Sequence, residues 1–208
     1  MTFTRKGLAT RQRIIDGAAE YLRSDEPGEM TLDDVRAVTR TTKGQIYRYF
    51  PGGKEDLLLE VAKYESERVL DEQQPHLGRL DSWEAWDAWR IALIARYRAQ
   101  GRQCPLGSLL NQVGTVAGSA EVVTTLLKRW QVFIERGIAS MQEQGEVRHD
   151  LDVEKMAAAF IVGIQGGVNV LRVTGETTHL ESMLDILIEH LRERERAAAP
   201  LPGKPAVR

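Results

Sequence analysis

The sequence predicts an all-α chain: an N-terminal three-helix unit carrying a helix-turn-helix, then a larger helical domain, about nine helices in all. Three observations predict it. Apolar residues recur at three- and four-residue spacing along most of the 208 residues, the period of a helix with one buried face. Breakers gather between those stretches, as in Ser24-Asp25-Glu26-Pro27-Gly28 and Pro51-Gly52-Gly53. No stretch alternates as a strand would, and no segment repeats.

Taken in order, Ile15, Ala18, Ala19 and Leu22 make one stripe of a first helix that ends at the 24–28 cluster. Thr31 stands three residues before Asp34, a capping-box-like start, with Leu32, Val35 and Val38 as the inward face of a short second helix. After Thr39-Arg40, either Thr41 or Thr42 can cap a third helix that turns Ile46 and Phe50 inward and stops at Pro51. A fourth helix opens at Lys54-Glu55-Asp56, its acids favourable at the positive end of the dipole, and runs through Leu57, Leu58, Val61 and Ala62 towards Leu70. Further helices are expected over 82–100, 108–116, 119–144, 153–173 and 177–196. In the last, Leu180, Met183, Leu184, Leu187, Ile188 and Leu191 keep the helical spacing through three turns. The expected division is a helix-turn-helix unit over 1–55 with the fourth helix (54–70) as connector, a helical domain over 71–196, and a disordered tail over 197–208 rich in Ala and Pro.

Charge separates the two parts. Residues 35–54 hold five basic side chains (Arg36, Arg40, Lys43, Arg48, Lys54) and no acid. Residues 1–54 hold ten basic and seven acidic side chains, a net of +3; the whole chain is at −2, which leaves −5 for the remainder. A basic head on an acidic body suits one part that meets a polyanion and another that does not, although charge alone would also fit an ordinary solvated surface. A single cysteine, Cys104, excludes an internal disulfide framework and fits a reducing compartment. The polar start lacks the apolar run of a signal peptide. The most apolar stretch, 156–173, is interrupted by Gln165, Asn169 and Arg172 and is short for a membrane span. A soluble, cytoplasmic protein without membrane contact is expected.

Two short helices joined by a tight turn, the second basic and polar on its outer side, make a helix-turn-helix, whose second helix fits the major groove of B-DNA. With Ile46 and Phe50 inward, Gln45 and Arg48 lie on the opposite face, flanked by Thr42, Lys43 and Tyr49. Gln can pair with adenine and Arg with guanine through two hydrogen bonds each. Thr31, Thr42, Tyr47 and Lys54 suit phosphate oxygens. A solvated helical hairpin with no DNA partner has the same spacing.

The run Thr42-Lys43-Gly44-Gln45-Ile46-Tyr47-Arg48-Tyr49-Phe50-Pro51, followed by Lys54-Glu55-Asp56-Leu57-Leu58, resembles the signature of TetR-family regulators. The resemblance is strong over about the first 65 residues; beyond them it lies only in layout. It implies that Thr42, Tyr47 and Lys54 contact phosphates and that Gln45, Arg48 and Tyr49 read or flank bases of an operator. It also implies a small-molecule sensing domain and a homodimer built on the last two helices. One departure stands in the turn, where the family usually has Gly-Val and this chain has Arg40-Thr41. Arg40 would then adopt a conformation that glycine prefers, or the turn differs; Arg40 and Thr41 could equally add phosphate contacts. Cys104-Pro105-Leu106-Gly107-Ser108, with the Pro-Gly-Gly-Lys junction, resembles one branch of the family, repressors of multidrug-efflux and flavonoid-responsive genes. Cys104 could be a redox sensor, or simply a small residue at a helix entrance; no second cysteine is present to resolve it.

The sensing site can be approached only by composition. Trp86, Trp89, Tyr97, Leu109, Gln112, Trp130, Phe133, Phe160 and Gln165 are the candidate lining of an apolar pocket for a hydrophobic or aromatic effector; the same aromatics could equally fill a core. For the dimer, Gly163 and Gly167 form a GxxxG beside the stripe of Leu180, Leu184, Leu187 and Leu191. Each interior glycine costs a helix about 1 kcal/mol, which suggests close backbone approach, between subunits or within one.

Other function classes fit less well. Four scattered histidines (His76, His149, His179, His190) have no metal-ligand spacing, and His149-Asp150-x-Asp152 reads as a polar loop and helix start. With no phosphate-cradling loop after a strand, neither catalytic residues, a metal nor a cofactor is expected. A helical adaptor that binds only proteins would explain the helices but leave the acid-free basic segment without a purpose.

Overall fold

The computed structural model describes residues 3–23, 28–102, 116 and 118–193. Among these, the chain forms eight α-helices and no strand. They are α1 (Arg5–Leu22), α2 (Leu32–Thr39), α3 (Lys43–Tyr49), α4 (Lys54–Asp71), α5 (Trp83–Gln100), α6 (Ser119–Glu143), α7 (Val153–Thr174) and α8 (Thr178–Arg192), with a 3-10 turn at His76–Gly78. The helix expected over 108–116, except residue 116 itself, Cys104 and the tail over 197–208 fall outside the described residues.

Helix starts follow local chemistry. The expected capping box at Thr31 forms, and Thr42, one of the two candidate caps of α3, forms a second one with Gln45. Asp34 N–H donates to Thr31 Oγ1 (3.2 Å) while Thr31 N–H donates to Asp34 Oδ2 (2.8 Å). Gln45 N–H donates to Thr42 Oγ1 (3.2 Å) while Thr42 N–H donates to Gln45 Oε1 (2.9 Å). Ser82 caps α5 and Asp152 caps α7 in the simpler way. Each such cap contributes about 1 kcal/mol against alanine.

Two apolar cores result. In the head, Ile14, Ile15, Ala18, Ala19 and Leu22 of α1 close on Met30, Val35, Ile46 and Phe50, and on Leu57, Leu58, Val61 and Ala62 of α4. The body core joins Val69 and Leu70, at the far end of α4, to the inner faces of α5–α8. One helix therefore contributes to both cores. Ion pairs extend the link: Arg11 to Glu60 and Arg23 to Glu65 fasten α1 to α4, and Glu72 accepts from Arg96 of α5 at 2.8 Å. In α2, Val38 does not point inward as expected but is 46% exposed, and Thr39 is buried instead. The reason is close approach: a Cβ on Gly17 of α1 would collide with the Thr39 methyl. Thr39 occupies the space that α1 leaves open.

Helix α7 is long and apolar enough to cross a membrane, yet eight of its residues, from Met156 to Leu171, are buried inside the body. Its outer stripe is uncharged as well: Ala159, Val162, Gly166, Asn169 and Val173 are all exposed.

Candidate nucleic-acid interface

The turn between α2 and α3 resolves the departure noted in the sequence. Arg40 takes the left-handed conformation (φ 53°, ψ 39°) in the position where glycine would be easiest. Its side chain stays exposed, while Thr41 turns inward and its hydroxyl meets Thr39 Oγ1 at 2.7 Å. Thr41, expected at the DNA face, is thus part of the packing between α2 and α3.

α3 presents Thr42, Lys43, Gly44, Gln45, Tyr47 and Arg48 to solvent, with Ile46 and Phe50 fully in the core. The exposed side chains differ in what they have free. Thr42 uses its hydroxyl oxygen as an acceptor in the cap, which leaves its O–H proton able to donate. The Gln45 carboxamide oxygen is taken by the Thr42 N–H. A two-bond contact to adenine uses the same oxygen, so Gln45 has to share it between its cap and the base through its second lone pair. Thr31, expected on a phosphate, accepts from Asp34 N–H and donates to Asp34 Oδ2 (2.6 Å). It has no free donor and sits beside a carboxylate, which a phosphate would avoid. That hydrogen bond from the Thr31 side chain also holds the Asp34 carboxyl below the usual carboxylate range.

Lys43 and Arg48 are exposed, with no carboxylate partner among the described ion pairs. Lys54, in contrast, donates to Glu29 at 2.6 Å, so it would have to exchange partners to reach a phosphate. The Tyr47 ring lies against Gly53, where a Cβ would meet it at 3.3 Å, and 44% of the residue remains exposed. Tyr49 is half-buried between two neighbours. Phe3 packs against it with the rings tilted by 55° and 5.1 Å between their centres, and the Arg48 guanidinium lies 6.0 Å from its centre. Through Phe3 the first turn of α1 sits beside the end of α3, bringing exposed Arg5 and Lys6 to the same region. Neither was singled out in the sequence, since no local pattern ties an N-terminal turn to a helix some forty residues on.

The body differs more from expectation. Trp86, Trp89, Trp130 and Phe160 are fully buried and Tyr97 nearly so. Trp86 and Trp89 meet edge-on at 5.7 Å, and Phe160 lies 5.4 Å from the first and 6.1 Å from the second. Trp89 donates its indole N–H to Gln73 Oε1 at 3.0 Å, and Gln73 in turn donates to the Val69 carbonyl at 2.7 Å. These aromatics fill the core; Phe133 and Gln165 are half-buried, and Leu109 and Gln112 lie outside the described residues.

The two glycines assigned to a dimer contact are used within the subunit. A Cβ on Gly163 would run into the Met183 sulfur, and one on Gly167 would stand 2.8 Å from Leu180 Cα. They let α8 lie close on α7, and Leu180, Leu184 and Leu191 are buried in that contact, with Leu187 half-buried. Gly166, between them, faces open space. The outward surface of the pair carries Val162, Val173 and Ile186, exposed by 71%, 76% and 64%.

A helix-turn-helix head with an exposed basic helix, joined by one shared helix to an all-helical body, defines a DNA-binding transcription regulator. Known proteins agree. The family of bacterial regulatory proteins of the tetR type matches residues 14–61, and a tetracyclin repressor-like C-terminal domain matches residues 85–187. The transcriptional regulator SrpR of Pseudomonas putida is 38% identical over 152 residues, covering 73% of this chain and 70% of its own. The transcriptional repressor DhaR of a Mycobacterium species is 24% identical over 193 residues, covering 87% and 91%. Among solved structures, a TetR-family regulator from Cytophaga hutchinsonii superposes with a TM-score of 0.78 at 20% identity, over 93% of this chain and all of that one. A regulator from Chloroflexus aurantiacus gives 0.72 at 25% identity, over 90% and 96%. The chain belongs to the TetR family of transcriptional regulators. These relatives are regulators and not enzymes.

Proposed function

We propose that the protein is a ligand-responsive repressor that binds a palindromic operator as a homodimer in the cytoplasm. The observation that carries this reading is the face of α3. It carries Lys43 and Arg48 without acidic partners on a helix held by a capping box and two buried anchors. Arg48 reads a base, and Lys43, Thr42, Tyr47 and Arg40 hold phosphates, with Arg5 and Lys6 adding charge from α1. Tyr49 steadies Arg48, and Gln45 shares its carboxamide oxygen between its cap and the DNA. The name of the relative DhaR, a repressor, supports repression.

The second copy meets the first through the outward faces of α7 and α8, with Val162, Gly166, Val173 and Ile186 at the centre. An exposed apolar surface of this kind marks an interaction site. Dimer symmetry then places two α3 helices on half-sites about one helical turn apart or somewhat more. The effector is a small hydrophobic molecule bound by the body; it releases DNA only through its different affinity for the two conformations. The division into a head over 1–55, a connector over 54–70 and a sensing body over 71–196 describes the same roles.

Selection of bound sequences from a random duplex library tests the reading. A palindromic consensus bound by a dimer is expected, with affinity that falls steeply as salt rises. Salt-insensitive binding, or none, would sink it.

A further inference from the structure

Thr4 caps α1, so Phe3 stands immediately before the cap. An apolar residue there ordinarily packs on the fourth residue after the cap, in its own helix, and so fixes the entry of the chain. In α1 that residue is Leu8, and it stays 55% exposed. Phe3 is turned to Tyr49 at the end of α3, with the rings tilted by 55° and their centres 5.1 Å apart. Gly7 makes room for this contact. Glycine is a poor helix former, and a Cβ at position 7 would stand 3.3 Å from Phe3 Cβ and 3.5 Å from Tyr49 Oη. Tyr49 also packs against the head core, so its ring is held by α1 and by the core together. Beside that ring lies Arg48, its guanidinium 6.0 Å from the ring centre and without a carboxylate partner among the described ion pairs. Adjacent residues of a helix do not ordinarily face one another, so this contact depends on where the Tyr49 ring is held.

We propose that Phe3 is a positioning residue for base reading: it fixes the Tyr49 ring against α1, and that ring holds the Arg48 guanidinium in the orientation that meets a base. The proposal rests on Arg48 as the base contact and adds to it a residue from outside the helix-turn-helix. A long arginine side chain loses rotamer freedom when it makes a two-bond contact, and an aromatic face already beside it lessens that loss. Without Phe3 the Tyr49 ring is free to turn, and the guanidinium samples more orientations in the groove. Phe3 itself stays off the DNA. Phosphate contacts carry no sequence information, so its removal acts differently from removal of a charge: base discrimination falls while the salt dependence of binding stays the same.

A double-mutant cycle on the full chain tests this. The readout is the ratio of affinities for the selected operator and for a duplex changed at the base pair that Arg48→Ala relaxes. Both affinities come from one preparation, so any loss of folded protein cancels. Phe3→Ala is expected to lower the ratio by about two- to fivefold, the worth of one exposed cation–π contact, with an unchanged salt slope. In the Arg48→Ala background the same change should leave the ratio as it is, and Phe3→Tyr, which restores a ring, should return the starting value. A second measurement needs no DNA: in Phe3→Ala the ring-current shifts of the Arg48 side-chain protons in NMR should shrink towards those of a free arginine. Unaltered shifts would overturn the proposal. So would an effect of Phe3→Ala that persists in the Arg48→Ala background, or one that weakens all duplexes alike. These outcomes sink the role of Phe3 alone. If Arg48→Ala itself spares discrimination at every position, the base-reading assignment fails and the role of Phe3 falls with it.

Discussion

The head and the body are both helices around an aliphatic core, yet they constrain their residues at different distances along the chain. In the head, the side chains that matter are placed by neighbours three or four residues away. Thr42 and Gln45 cap one another, Ile46 and Phe50 set the orientation of α3, and Arg48 follows from that orientation. In the body, the same question is answered by partners far off in sequence. Gly163 meets Met183, Trp89 meets Gln73, and Arg129 meets Glu67. Function that rests on a local motif can be assigned residue by residue, whereas function that rests on a face of a packed helix depends on which neighbour took the other faces.

That contrast can be broken at several points. The largest effect is expected where the body controls the head. Gly166→Arg or Ile186→Arg places a charge on the outward face of α7 and α8. Sedimentation should then show monomers with unchanged helical content, and operator affinity should fall by roughly a hundredfold or more as the two-site advantage is lost. A dimer that survives both changes would remove this face from the interface.

Gly163→Leu should act on the other side of the same helix. It forces α8 away from α7 and costs the subunit about 3 kcal/mol in urea unfolding, the upper end for overpacking. If instead it separated subunits without loss of stability, the glycine pair would be an intermolecular contact after all. Arg48→Ala tests the head alone. Loss of a two-bond base contact should weaken the selected operator by about tenfold to a hundredfold and relax one position of the consensus. Lys43→Ala should weaken all sequences alike and lower the salt slope by about one.

Smaller effects sharpen the local side of the comparison. Arg40→Gly relieves a left-handed residue and should stabilise the protein by about 1 kcal/mol. If Arg40 also holds a phosphate, the same change weakens DNA binding, so stability and affinity move in opposite directions. The smallest effect is acid dependence. Asp34 is held low, first by the side-chain hydrogen bond from Thr31. Its contribution is present above the ordinary carboxylate range and is lost as pH falls through the lowered value. Glu65 is shifted the other way, first by burial, against the pull of Arg23. Its contribution is greatest below the ordinary carboxylate value and declines as pH rises through the raised one. Asp34→Asn should therefore flatten the acid limb of the stability profile, and Glu65→Gln should lessen the decline above it.

Much of this molecule was legible in its sequence, and the legible parts share a cause. The helix boundaries, the Thr31–Asp34 capping box, a threonine cap on α3 and the inward Ile46 and Phe50 follow from interactions within a few residues, which spacing and residue type encode directly, while the left-handed Arg40 is one of two turn geometries that the sequence leaves open. The family signature lies in the same segment for the same reason. The failures are of another kind. Thr31 and Thr41 look like free hydroxyls until their partners are seen, and Val38 and Thr39 exchange places because Gly17 admits α2 closely. Gly163, Gly166 and Gly167 are the plainest case. Their sequence announces a close approach but not its direction, since successive helical residues point about 100° apart. Only the position of α8, joined to α7 by a turn and held by the body core, turns two of them inward and leaves Gly166 facing out. The sequence alone thus determined the helices and the DNA-binding motif. The tertiary structure decided the faces, because a face is defined by what packs against it.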